Sequence, residues 1–168
     1  MSFEESNTGS ILSDANQFRN QVSSDREVEN SNVSLALLLL EDTNKLLSAV
    51  GIGGKQVMSY NELCRVGSSL FVAVFEALFN CRIEGINRNP RSQTDYINNA
   101  QLVIDALSER VRMNLDHITG RSIVVGDYRA LSDLVNLLLR IVESMTEFRY
   151  IKLSLTTKIV LPLGHKIA

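Results

Sequence analysis

One stretch constrains this chain more than any other. It is His117-Ile-Thr-Gly-Arg-Ser-Ile-Val-Val-Gly-Asp127, followed by a leucine-rich run from Leu131 to Val142. The stretch has the grammar of a tight connector between two buried helices. Gly120 and Gly126 can take positive φ at little cost. Asp127 stands where a helix N-cap belongs, just ahead of an apolar-periodic run. The segment holds no nucleophile–base pair, no metal-ligand spacing and no phosphate loop. It therefore points to packing, and to a binding module rather than an enzyme.

The rest of the chain reads the same way. A helix is predicted from Val33 to about Val50, with Leu35, Leu38, Leu39 and Leu46 on one face and Gly51, Gly53 and Gly54 ending it. Ser59-Tyr-Asn-Glu62 is a capping box that opens a second helix to about Phe79. Leu63, Val66, Leu70, Val74 and Leu78 form its inner stripe, beside Phe71 and Phe75. Thr94 or Asp95 caps a third helix to about Ser108, burying Ile97, Ala100, Ile104, Leu107 and Val111. A short turn or helix around 111–116 leads into the glycine connector. The last long helix, 128–148, buries Leu131, Leu134, Val135, Leu138, Ile141, Val142 and Met145. The fold class is all-α, one compact helical domain over 33–148. Residues 1–32 read as a disordered, acidic, Ser- and Asn-rich tail. Residues 149–168 read as a basic, loosely structured tail.

Charge narrows the partners. The net charge is −2 over 168 residues, so no basic domain is present and nucleic acid is not the expected partner. The longest apolar run falls far short of the roughly 20 residues that span a bilayer, and no secretory signal opens the chain. Two cysteines make no disulfide framework, so the chain reads as cytoplasmic. No cofactor or metal is expected. His117 has no Cys, Asp or second His at ligand spacing and reads as a packing or capping residue. Cys64 and Cys81 read as small buried hydrophobes. Gly51-Ile-Gly-Gly-Lys55 lacks the Ser or Thr after its lysine and the preceding strand that a phosphate loop needs. It reads as a helix stop.

The segments Pro90-Arg-Ser-Gln93, Asn99-Ala-Gln-Leu-Val-Ile-Asp-Ala-Leu107, His117-Ile-Thr-Gly120, Ile123-Val124 and Gly126-Asp127 occur in one order. Together they resemble the amino-terminal domain of the centrosomal protein of 95 kDa family. Those are coiled-coil proteins whose head looks like a divergent calponin-homology fold. The resemblance covers about residues 35–148; residues 149–168 depart from it, having no heptad. It implies a calponin-homology-like, non-catalytic interaction module at the centrosome, spindle pole or basal body. The implied partners are tubulin in microtubules or other centrosomal proteins, with homo- or heterodimers included.

Two mechanisms stay open. Arginines outnumber lysines in the core and suit bidentate pairing with carboxylates. Arg91, Arg110, Arg112, Arg121 and Arg129 are the candidates for an acidic partner surface, against internal pairing. Alternatively, leucines beyond one stripe per helix (Leu37, Leu40, Leu47, Leu137 and Leu139) form an exposed docking face. The contrary expectation is that a central helix buries them.

Overall fold

The computed structural model describes residues 33–54 and 56–159, with only the helical path given for 149–159. The expected tail at 1–32, Lys55 and residues 160–168 lie outside the described residues. The chain divides into two units, Met1–Leu38 and Leu39–Ala168. All regular structure among the described residues is helical. α1 occupies 33–49, α2 Tyr60–Phe79, α3 Gln93–Val111, α4 Gly120–Val125 and α5 Tyr128–Ile159. Among the described residues no helix is long and apolar enough to cross a membrane.

Local chemistry sets most boundaries. At α2, the Ser59 hydroxyl accepts from Glu62 N, while the Glu62 carboxylate accepts from Met58 N. At α3 the cap is Ser92, not Thr94 or Asp95. Asp95 is its partner, receiving the N–H of both Arg91 and Ser92. Those bonds hold the Asp95 carboxyl below its usual range. The connector itself contains α4, which a Thr119–Ser122 capping box opens. Residues 113–117 before it are not helical. Asp127 caps α5 as expected, accepting from Ala130 N at 2.8 Å. α5 runs on to Ile159, past Phe148 where the expected loose tail begins.

The four helices α1 to α4 stop in one manner. Gly51, Asn80, Arg112 and Gly126 all have left-handed φ. In each case the next residue's N–H returns to a carbonyl of the helix it leaves. Ile52 bonds Leu47, Cys81 bonds Glu76, Met113 bonds Ser108 and Asp127 bonds Ser122. This is the Schellman arrangement, which satisfies the helix's last free carbonyls. Gly51 thus serves a helix stop, as the missing Ser or Thr implies.

The core of the second unit combines Leu39, Leu46 and Leu47 of α1 with Leu63, Phe71, Val74 and Phe75 of α2. Val103, Ile104, Leu107, Ile118, Ile123, Leu131, Leu134, Val135 and Leu138 are among the residues that join them. The α2 stripe is rotated from the expected one. Gly67 and Ser68 are buried on it, while Val66 and Leu70 are half-buried. In the amino-terminal unit Leu35, Leu37 and Leu38 are exposed, so the inner face of α1 starts at Leu39. Met145, placed in the core by periodicity, is exposed.

Two asparagines, half-buried Asn44 and buried Asn99, hold two loops by the same device. Asn44 donates to Val57 O at 2.9 Å and accepts from Val57 N at 2.8 Å. Asn99, 4 % exposed, does the same to Asn87 at 2.8 and 2.9 Å. A side-chain amide so placed imitates one rung of a strand ladder and satisfies backbone groups that burial would otherwise leave unpaired.

Candidate partner-binding site

α2 and α3 end near each other, and the loop after α2 borders an open cavity of about 500 Å³ between their carboxyl ends. Phe75, Cys81, Arg82, Ile83, Glu84, Ala106, Glu109, Arg110 and Arg112 line it. A bidentate pair anchors that loop. Arg88 donates to both Glu76 carboxylate oxygens, at 2.9 and 2.5 Å, and Glu76 also accepts from Ile83 N at 3.0 Å. The Arg88 hydrogen bonds, with the nearby Arg82 charge, hold the Glu76 carboxyl below its ordinary range.

Arg110 lies with its guanidinium carbon 4.7 Å from the centre of the Phe79 ring and one nitrogen 3.4 Å from Cys81 Sγ. Phe79 in turn tilts against Phe75, centroids 4.7 Å apart. Neither contact of Arg110 neutralises its charge. Among the described residues the ion pairs within 4 Å are Lys45–Glu143 and Arg88–Glu76, so none involves Arg82, Arg110 or Arg112. Arg112 holds φ 54°, a conformation that costs a non-glycine residue about 1 kcal/mol or more.

The structure thus brings together two of the five candidate arginines, Arg110 and Arg112, and adds Arg82, whose role no spacing rule announced. Arg91, Arg121 and Arg129 are exposed but line neither this cavity nor the apolar one beside α2. The leucine candidates fare otherwise. Leu139 is buried and Leu137 packs against the core, so neither offers an open apolar face. Leu47 is buried and Leu40 half-buried. A second cavity of about 490 Å³ lies beside α2, where Leu47, Ile52, Val57, Val66, Leu70 and Ala73 give it apolar walls.

His117 is exposed, not packed. Among the described residues no group of three or more His, Cys, Asp or Glu is placed to hold a metal ion. Both cysteines are half-buried rather than fully interior. Cys64 faces the connector, where a Cβ at Gly126 would come within 2.5 Å of its sulfur. Tyr60 donates to the Gly126 carbonyl at 2.6 Å. Burial first, then the neighbouring Cys64, push the phenol up to about 12 from 10.0. Burial likewise pushes the Cys64 thiol up.

The raised phenol has a signed consequence. Stability carried by Tyr60 is fully present below about pH 10 and is lost as the pH rises towards 12. Alkaline unfolding is expected in that window. Tyr60→Phe should cost about 1 kcal/mol at pH 7 and flatten the alkaline limb. The chain has no Trp, so ultraviolet absorbance reports tyrosine ionisation cleanly. An unchanged alkaline limb in the variant would remove Tyr60 from this role.

Comparison with known proteins adds an outside view. A family model described as "Domain of unknown function (DUF5745)" matches residues 83–141, a span that includes Arg91, Arg110, Arg112, Arg121 and Arg129 but not Arg82. The chain is similar to Centrosomal protein of 95 kDa of Rattus norvegicus, 32% identical over 81 residues, which is 48% of this chain and 10% of that protein. The Mus musculus protein of the same name is 30% identical over 88 residues, 52% of this chain and 11% of the relative. The match therefore spans about a tenth of the length of these curated relatives.

Proposed function

We propose that this chain is a non-catalytic protein-interaction module of the centrosome, with a divergent calponin-homology-like head. On this reading the head recognises acidic partner surfaces, those of microtubules or of other centrosomal proteins, through arginines. The observation that carries the proposal is the convergence of Arg82, Arg110 and Arg112 on one cavity without an ion pair among the described residues. The similarity to centrosomal proteins over half the chain supports the cellular setting. Guanidinium forks favour planar carboxylates, and steering by such a cluster is ionic.

Salt-dependent co-sedimentation tests the microtubule part. The full chain should pellet with microtubules at low salt. Pelleting should fade as the screening length falls from about 30 Å at 0.01 M to about 8 Å at 0.15 M salt. Folded protein that stays in the supernatant at low salt would remove microtubules from the account. A second reading has the module dock a centrosomal protein, or a second copy, on apolar surface without touching microtubules. The cavity beside α2 favours it; Leu137 and Leu139 do not.

A further inference from the structure

We infer that the arginine cavity takes a short peptide segment of a partner in which an apolar side chain stands next to a single carboxylate. This rests on the interaction-module reading and narrows it to one ligand chemistry.

Four observations converge. First, the wall is chemically divided. Ile83 and Ala106 are half-buried and Phe75 lies behind them, which suits an apolar side chain, while the guanidiniums suit an anion. The volume of about 500 Å³ lies in the range of small ligand sites and has room for a few side chains.

Second, Arg110 is already oriented. The Phe79 ring and the Cys81 sulfur hold it without cancelling its charge. Little side-chain freedom remains to be lost on binding, and that is how preorganisation raises affinity.

Third, Arg112 occupies a left-handed helix stop, where glycine is the residue of lowest strain. The stop needs that backbone conformation but not an arginine, and the side chain carried there lines the cavity beside Arg82 and Arg110.

Fourth, Glu84 and Glu109 share the lining. Three guanidiniums against two carboxylates leave a small positive excess. One carboxylate balances that excess, whereas a phosphate dianion would leave the site net negative beside Glu84 and Glu109.

The test is fluorescence anisotropy of the full chain with labelled hexapeptides. The probes are Gly-Ser-Phe-Glu-Gly-Ser, the same peptide with Ala for Phe, and the same peptide with phosphoserine for Glu. The Phe-Glu peptide should bind more tightly than either control by about fivefold or more. Arg112→Gly should weaken that binding about tenfold while raising the melting temperature, an outcome that a purely structural arginine would not give. Arg140→Ala, on the exposed side of α5, should change neither. Equal binding of the Ala control, or tighter binding of the phosphoserine peptide, overturns the assignment. So does Arg112→Gly with undiminished binding. A chain that pellets with microtubules yet ignores all three peptides sinks this inference alone. Peptide binding without pelleting sinks the microtubule reading alone.

Discussion

Gly120→Ala is expected to destabilise the protein by about 3 kcal/mol or more, the largest effect of any single methyl group in the connector. Gly120 is the first residue of α4 and is buried there with helical backbone. A Cβ would sit 2.2 Å from Ile97 O, 2.7 Å from Gln101 N and 3.0 Å from Gln101 Cβ. Two of these are backbone atoms inside α3, so no side-chain rotation relieves the contact. The helices would have to separate. That would stretch the Gly120 N–H bond to Gln101 Oε1, now 2.8 Å, and lift Ile123 from the core. Thermal unfolding should show a fall of roughly 10 °C or more, at about 4 °C per kcal/mol for a domain this size. A melting temperature within 2 °C of wild type, as an order-of-magnitude threshold, would mean that α4 does not press on α3 as described.

Gly126→Ala is expected to cost about 2–4 kcal/mol, by two separable routes. One is conformational: φ is 76°, costly for any residue with a Cβ. The other is steric: the new methyl would meet Cys64 Sγ at 2.5 Å and Cys64 Cβ at 3.2 Å. The steric part has a side chain as its partner, so a second substitution can remove it. Cys64→Ala in the Gly126→Ala background should restore part of the loss and leave about 1 kcal/mol of backbone strain. Chemical denaturation of the four proteins of this double-mutant cycle measures the coupling. Strict additivity would show that the methyl and the sulfur never meet.

The two glycines show what a sequence can and cannot disclose. Both read alike, as sites of unusual backbone angles. Gly126 fits that reading. Gly120 does not: its φ is ordinary, and it is glycine because another helix's backbone passes where a Cβ would be. That reason lies 19 to 23 residues away, at Gln101 and Ile97, and local pattern has no view of it. Local chemistry was legible where it acts within a turn, as at Ser59 and Asp127. It misled at α3, where three cap-forming residues compete within Ser92–Asp95. There Ser92 stands as the cap because Asp95 can reach back to it. The α2 stripe turned because Gly67 and Ser68, whose small size in the sequence already invites close approach of another helix, take the buried positions that apolar counting gives to Val66 and Leu70. Of the site, Arg110 and Arg112 were legible as charges beside a connector. Arg82 gave no signal, because only the meeting of two helix ends brings it to them.

The repeated left-handed stop has a consequence for how this fold can change. Each of α1 to α4 is terminated by bonds that close within six residues, without help from distant neighbours. Helix length is thus written locally, and the segments between one stop and the next cap are free of that duty. The loops between are held by other means, the Asn44 and Asn99 amides and the Arg88–Glu76 pair. Between Asn80 and Ser92, the stretch that frames the arginine cavity, those anchors set the loop's length, so change there falls on exposed side chains such as Arg82 and Glu84.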